Sequence, residues 1–327
     1  MSATLPEPSA RGPGGAEKRS ATFIAPTSLA EVLDAMATGA LPLAGGTDLV
    51  VGHRQGKRLL PDALVNLDRV ADLRGIRLGA EGALILGALT NHETVVNDER
   101  VRAEYPALAD ASSIVGSAAT RATGTLGGNV MNASPAADTV APLLCHDAIA
   151  VLRSKAGERR VPLAELFTGP GRTTAMAGEL LVWIELAPSG PITGGSYVRL
   201  EYRRQMEIAI VGAAAVVRLD ASGRVEHARV AMTALAPTVR RVPDAEQALL
   251  GTDAGVAAAR AAGEAVAAAA SPISDVRGSA SYRRAMAAVI TRRAVAAAAS
   301  RARGLDVRIP ASDSTFAGRL GNEGIGS

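Results

Sequence analysis

Residues 120–142 read TRATGTLGGNVMNASPAADTVAP. Glycines, small hydroxyls and one carboxylate, Asp138, crowd a segment with little side-chain volume to give a core. The rest of the chain is rich in apolar residues, 48% of the total, so this run marks a place where backbone and small polar groups form the working surface. Its centre, Thr125, Leu126, Gly127, Gly128 and Asn129, predicts a glycine-rich loop that offers bare backbone. Thr125 and Ser134 add hydroxyls and Asp138 an acceptor, while Asn129 braces the loop or touches a ligand. A long surface loop accounts for the same residues.

A similar place lies upstream at residues 44–49, AGGTDL, comprising Ala44, Gly45, Gly46, Thr47, Asp48 and Leu49. It follows the apolar run LPLA and opens a helical pattern, with Thr47 or Asp48 as the expected cap. Backbone N–H groups at a strand-to-helix turn point outward, and the helix start adds positive potential. The ligand reading is a diphosphate cradle; the plain one is an ordinary turn in which glycine is common. Two such segments in one chain strengthen the dinucleotide reading, because a diphosphate needs N–H donors from more than one direction. The spacing G-x-G-x-x-G is absent from both, which disfavours a nicotinamide site of the Rossmann kind. GHRQGKR (52–58) is one residue short of a P-loop and carries Arg58 where the hydroxyl belongs.

Around these segments the pattern is mixed helix and strand. PTSLAEVLDAM predicts a helix with Ser28 and Glu31 as a capping box and Leu29, Val32, Leu33 and Met36 on one face. LPLA and ALVNL are short strands either side of the AGGTDL helix, in the order of a small parallel α/β unit. IRLGAEGALILGAL reads as a hairpin, and Thr90 with Glu93 as a second capping box. A helix over about 106–115 precedes the quoted stretch. AIAVLRS and LLVWIEL are strands flanking the loop ELFTGPGRTTAM, and a strand-rich region continues to about residue 235. From Ala245 alanine-rich helices take over, the last with Tyr282, Met286, Val289 and Ile290 on one stripe. Its arginines read either as a solvated face or as a partner contact. The first twenty residues and those after Gly304 are expected to be flexible tails.

Composition excludes several functions. Thirty-five basic residues nearly balance 32 acidic ones, which makes no case for nucleic acid or a membrane surface. A single cysteine, Cys145, allows neither an internal disulfide nor a cluster held by several thiolates. No apolar run reaches membrane-spanning length, and the N-terminal segment lacks the apolar centre of a signal peptide. Low cysteine use fits a reducing compartment, and a cytoplasmic location is expected, though one cysteine is also compatible with export. His53, His92, His146 and His227 are scattered and read as structural or exposed. Cys145 and His146 adjoin, but in APLLCHDAIAV a buried apolar cysteine is the better account than a thiolate. No catalytic residue and no metal ligand set stands out.

PTSL, AGGTDL, TLGGNVMNASPAAD and RRQMEIAIVGAAA, in that order, with SPISDVRGSASYRRAMAAVITRRAV near the end, resemble the flavin-binding medium subunit of molybdenum hydroxylases. That family includes carbon monoxide dehydrogenase and bacterial xanthine dehydrogenases. The resemblance spans about residues 21–303. It implies an α+β chain: a two-subdomain FAD-binding region of the vanillyl-alcohol-oxidase (PCMH) type, then a small α/β C-terminal domain of the CO dehydrogenase flavoprotein type. The implied limits are 21–194, divided at about 78, then 195–304, with tails at 1–20 and 305–327. It further implies that Leu43 through Leu49 donate backbone N–H groups to the FAD diphosphate. Thr125, Leu126, Gly127, Gly128 and Asn129 would wrap its other side. Asp138 would lie near the flavin-end contacts, Leu181 would pack against the cofactor, and Arg199 would face the isoalloxazine. The implied partners are a small subunit with two [2Fe–2S] clusters and a large molybdopterin subunit, in a dimer of heterotrimers. Electrons would pass through FAD to an external acceptor. Two departures touch the flavin's surroundings. The approach to Thr125 keeps only Arg121 of the family's Q-I-R-N, and Val115 stands where some relatives place an aromatic, with Tyr197 or Tyr202 as possible substitutes. A free-standing flavin oxidoreductase of this fold, or a bridging subunit that has lost FAD, are the rival readings.

Overall fold

A computed structural model describes residues 22–56, 59–203 and 205–316. The expected N-terminal tail, 1–20, lies outside these, as do Lys57 and Arg58 of the discarded P-loop. The first unit is β1 (Thr22–Ile24), α1 (Leu29–Ala37), β2 (Leu41–Leu43), α2 (Thr47–Arg54) and β3 (Ala63–Asn66). Its strands pair in parallel in the order β1-β3-β2; the β2–β3 pair is the one the strand–helix–strand pattern leads one to expect, and β1 adds a third strand beside β3. Ser28 and Glu31 form the capping box of α1, and Val32, Ala35 and Met36 bury its apolar face. The cap of α2 differs from expectation. Gly46, in the left-handed region at φ 68°, holds that position and no side chain caps the helix.

The second unit runs through β4 (Ile76–Leu78), β5 (Leu84–Gly87), α3 (His92–Asn97), α4 (Glu99–Glu104), α5 (Pro106–Ser113), α6 (Ala118–Thr123), α7 (Leu126–Met131) and α8 (Val140–Cys145). It ends with β6 (Ile149–Ser154), β7 (Gly157–Pro162), α9 (Leu163–Leu166), β8 (Phe167–Gly169), β9 (Arg172–Thr173) and β10 (Leu180–Leu186). The sheet order is β4-β5-β10-β6-β7, with β4–β5 the expected hairpin. Three expectations are corrected here. Asn91, not Thr90, caps α3, its side chain accepting from Thr94 N, while the Thr90 hydroxyl donates to Gly75 O. The stretch 120–142 is no loop: α6, α7 and α8 occupy most of it, and most of its residues from Gly124 on are sealed from solvent. The expected loop ELFTGPGRTTAM holds the end of α9 and the short antiparallel pair β8–β9.

The third unit is β11 (Thr193–Leu200), β12 (Val211–Leu219), β13 (Val225–Thr233), β14 (Arg240–Arg241), α10 (Pro243–Gln247), α11 (Val256–Ala269), α12 (Ala280–Ala302) and α13 (Ala311–Phe316). An antiparallel sheet β11-β12-β13-β14 packs one face on α11 and α12. Its other face meets α5 and α8, so those helices lie between two sheets, and Tyr197, Ala214, Val216 and Ala231 join the core of the second unit. The buried stripe of α12 is Arg283, Ala287, Ile290, Ala294 and Ala298, not the one drawn through Tyr282, which is exposed. The expected C-terminal tail is also corrected in part. Within 305–316 Val307, Ala311 and Ser314 are buried, and the segment supplies hydrogen bonds to buried charges described below. Residues 317–327 lie outside the described residues.

Candidate functional site

The two glycine segments meet. A Cβ added at Gly45 would collide with the main-chain oxygen of Thr123 and stand 3.1 Å from Gly124 Cα. One added at Gly128 would lie 4.0 Å from Ala44 Cβ, and one at Gly124 3.6 Å from Thr47 Oγ1. Only a residue without a side chain allows the β2–α2 turn to lie flush on the end of α6. Leu43, Ala44, Gly45, Gly46, Thr47 and Leu49 are all half-buried at this junction and Asp48 is exposed. The uncapped start of α2 is what an anion can use, since the first turn of a helix has N–H groups without intrahelical acceptors.

The other segment behaves differently from the bare backbone expected of it. Leu126 N donates to Thr90 O at 2.9 Å and Gly127 N to Ala88 O at 2.9 Å. Gly128 N donates to Thr125 Oγ1 at 3.0 Å and Asn129 N to Thr125 O at 3.0 Å. Every N–H in the first turn of α7 is therefore used inside the protein. Gly127 is a packing glycine, since its Cβ would meet Ala88 Cβ at 2.6 Å. Gly128 and Asn129 remain half-buried, and Asn129 Oδ1 accepts from Thr139 Oγ1 at 2.7 Å, which ties α7 to the residue after Asp138.

Asp138 is not an open acceptor. Its carboxylate takes a hydrogen bond from Tyr197 Oη at 2.6 Å and pairs with Arg199 Nη1 at 2.7 Å. Arg199 Nη2 pairs with Glu201, and Arg199 Nε is buried without a partner. Burial pushes the Asp138 carboxyl upward and Arg199 opposes it. For Arg199, burial works against the charge, and Asp138, Tyr197 and Glu201 together outweigh it. The Arg199 side chain is 1% exposed, so it is enclosed at the junction of the second and third units. Tyr197 is enclosed with it, and Tyr202 is exposed, its hydroxyl donating to Arg277 O at 2.9 Å. The Leu181 side chain is closed into the core of the second sheet, where Leu181 pairs with Leu152 of β6 beside the β-bulge between Leu181 and Trp183.

His92 and Cys145 are the remaining buried reactive groups. His92 lies under Gly124, its N–H donating to Gly124 O at 3.2 Å, and burial followed by the Arg121 charge lowers its pKa to about 4. Arg121 also reaches Glu93 at 3.6 Å and Val115 O at 3.4 Å, so this residue of the altered approach braces α6. The Cys145 thiol points at Ala214 O and burial raises its pKa, which removes the thiolate reading. Among the described residues no group of three or more His, Cys, Asp or Glu could hold a metal ion, and no helix is long and apolar enough to cross a membrane.

Comparison with known proteins decides the family. Residues 18–188 match the FAD binding domain in molybdopterin dehydrogenase, and residues 196–298 the CO dehydrogenase flavoprotein C-terminal domain. The chain belongs to the FAD-binding medium subunits of the molybdenum hydroxylases. This medium subunit is 33% identical over 283 residues to the carbon monoxide dehydrogenase medium chain of Hydrogenophaga pseudoflava, covering 85% of itself and 97% of that chain. It is 30% identical over 288 residues to the xanthine dehydrogenase FAD-binding subunit of Escherichia coli O157:H7, covering 87% and 98%. Among solved structures it matches the Cu,Mo-CO dehydrogenase with a TM-score of 0.82 at 30% identity, covering 86% of itself and 98% of that chain. Quinoline 2-oxidoreductase of Pseudomonas putida 86 matches with a TM-score of 0.79, also at 30% identity and with coverage of 86% and 98%. The medium subunit is thus an oxidoreductase subunit built from an FAD-binding domain and a CO dehydrogenase flavoprotein C-terminal domain.

The residues present fit the cofactor at the β2–α2 turn, where an uncapped helix start lies beside a glycine that tolerates no Cβ. The sequence pattern missed the mutual capture of Asp138, Tyr197 and Arg199. The alternation of Tyr197 and Arg199 along one strand was the available signal that both side chains share a face.

Proposed function

We propose that this chain carries FAD in a heterotrimeric-type molybdenum hydroxylase. It takes electrons from a small [2Fe–2S] subunit and passes them to an external acceptor, while a large molybdopterin subunit hydroxylates the substrate. The assembly we propose is a dimer of heterotrimers in the cytoplasm. The domains divide at about residues 78 and 194. The relatives are named for carbon monoxide, xanthine and 6-hydroxypseudooxynicotine, so the substrate follows from the large subunit rather than from this chain.

FAD, when bound, supplies the electron-accepting and electron-donating chemistry. This chain's own residues bind and orient. Gly45 and Gly46 let the diphosphate reach the main chain, and the first turn of α2, at Thr47, Asp48 and Leu49, presents donors and positive potential to it. Thr125, Leu126, Gly127, Gly128 and Asn129 form a packed wall behind that turn. Leu181 backs the wall. Arg199, held charged between Asp138 and Glu201, places a fixed positive group where negative charge develops. None of these residues need act as a general base or nucleophile.

The observation that carries this reading is the contact of Gly45 with Thr123 and Gly124 beside the uncapped end of α2. The purified chain is expected to be yellow, with about one FAD per chain, the stoichiometry a single diphosphate site gives. Gly45→Ala should displace the turn and lower the flavin-to-protein ratio severely, with the far-UV circular dichroism kept. A colourless wild-type protein that also fails to take up added FAD would sink the reading.

A further inference from the structure

The match to the C-terminal domain family ends at residue 298, yet the chain goes on through a segment over 305–316 that buries Val307, Ala311 and Ser314. Its contacts converge on β11. That strand is the edge of its sheet, so every second N–H and C=O along it lacks a strand partner. Tyr197 N donates instead to Asp110 Oδ2 of α5 at 3.0 Å. Gly195 O accepts from Arg301 Nη1 at 2.8 Å. Arg199 N donates to Ser312 Oγ of the C-terminal segment at 3.3 Å.

The segment also completes the site around Asp110, which is fully buried. Asp110 Oδ1 accepts from Ala311 N at 2.9 Å and from Arg301 Nη2 at 2.9 Å, while Oδ2 accepts from Arg301 Nη1 at 2.7 Å. Arg301 in turn donates to Val307 O and Arg308 O, each at 3.0 Å. Ala311, 0% exposed, is sealed in this knot. The N–H groups of Tyr197 and Arg199 are thus fixed by Asp110 and Ser312, and the side chains of the same two residues are the ones that hold Asp138.

We propose that residues 305–316 are a positioning strap: through Ser312 on Arg199 N, and through Ala311 on Asp110, they set the register of the β11 edge and hence the placement of the Arg199–Asp138 pair. Where that pair lies beside the flavin, as in the function proposed above, the strap tunes the flavin from outside the FAD-binding domain. This last step rests on that reading; the setting of β11 does not.

The test compares the full chain with a stop after Gly304, with Ser312→Ala, with Ser312→Thr, and with Ala311→Pro. Proline is tolerated at the first position of a helix, so Ala311→Pro removes one N–H without forbidding α13. Amide hydrogen exchange over 196–200 is followed by mass spectrometry, and the visible spectrum and midpoint potential of bound FAD are measured in the same samples. Exchange is expected to rise about five- to tenfold in Ser312→Ala, as for one lost hydrogen bond, more after the deletion, and to return in Ser312→Thr. Exchange in β13 should not move. The flavin bands and potential should shift with the deletion and with Ala311→Pro. Unchanged exchange in the deletion overturns the strap. Faster exchange with an unaltered flavin spectrum and potential overturns its positioning role. If the full chain binds no FAD, the functional reading falls alone, and exchange over 196–200 still decides whether the strap sets β11.

Discussion

One imidazole shows how burial beneath the glycine junction becomes a pH dependence. His92 is 2% exposed with Nδ1 unpartnered, and burial, then the charge of Arg121, lowers its pKa to about 4. The unfolded chain takes up that proton near pH 6.5 and the folded chain only near 4, so protons favour unfolding between the two. The stabilisation is whole above the upper value and is lost as pH falls through the window, by up to about 3 kcal/mol. His146 is lowered to about 4 as well, also chiefly by burial, and adds to the same slope. His92→Gln should flatten part of the fall in urea stability between these pH values; an unchanged slope would show that His92 titrates alike in the folded and unfolded chain. At this scale the sequence was informative where chemistry is local. Gly45 and Gly46 stand out because a turn into a helix leaves few other reasons for paired glycines. Asp138 did not reveal its role, because its partner Arg199 is 61 residues away and no local pattern joins them.

Elements were legible where periodicity is strong and illegible where tertiary bonds hold them. The parallel pair β2–β3 and the hairpin β4–β5 follow from short apolar runs and turn glycines. The helices α6, α7 and α8 have six residues each, too few for a helical period to show. What makes α7 a helix is distant: the carbonyls of Thr90 and Ala88 take its first N–H groups. The strand β7 reads as polar because it is a sheet edge, its Arg159 pairing with Glu179 at 2.6 Å. The alanine-rich helices have a reason at this scale too. A Cβ on Gly194 of β11 would meet the main chain of Ala298 and Ala302, so α12 lies directly on the strand. Gly194→Ala gains about 0.5–1 kcal/mol from backbone entropy in the strand. Against that, main-chain atoms of a packed helix must move, and overpacking of this kind costs roughly 1–3 kcal/mol. The urea midpoint is therefore expected to fall with an unchanged denaturant slope. A rise in the midpoint would mean that α12 can slide on the sheet.

Across the whole molecule, buried charge marks the seam between the flavin-binding and C-terminal domains. Asp110, in α5, and Arg301, in α12, form a two-pronged pair at 2.7 and 2.9 Å, with Asp110 fully buried. Asp138 and Arg199 form a second pair across the same seam. Hydrophobic contact alone would hold these units together, since Tyr197, Ala214, Val216 and Ala231 pack into the core beneath α5 and α8. It would do so without fixing one register, because alanine and valine surfaces accept small slides. A buried charge pair adds little net stability but makes every misplaced arrangement expensive, since each displaced charge is left without a partner. This makes the seam a device for a single docked geometry. The consequence is a specific pattern in a double-mutant cycle. Asp110→Asn and Arg301→Met should each destabilise by about 3–5 kcal/mol, the usual result of stranding one buried charge. The double variant should lose markedly less than the sum of the two, because neither charge is then left alone. Calorimetry supplies the second readout: with the pair gone, the unfolding transition should broaden, because the apolar contact still holds the domains together but no longer in one docked geometry. Additive losses with a single sharp transition would show that the apolar contact alone sets the docking and that the charges merely tolerate it.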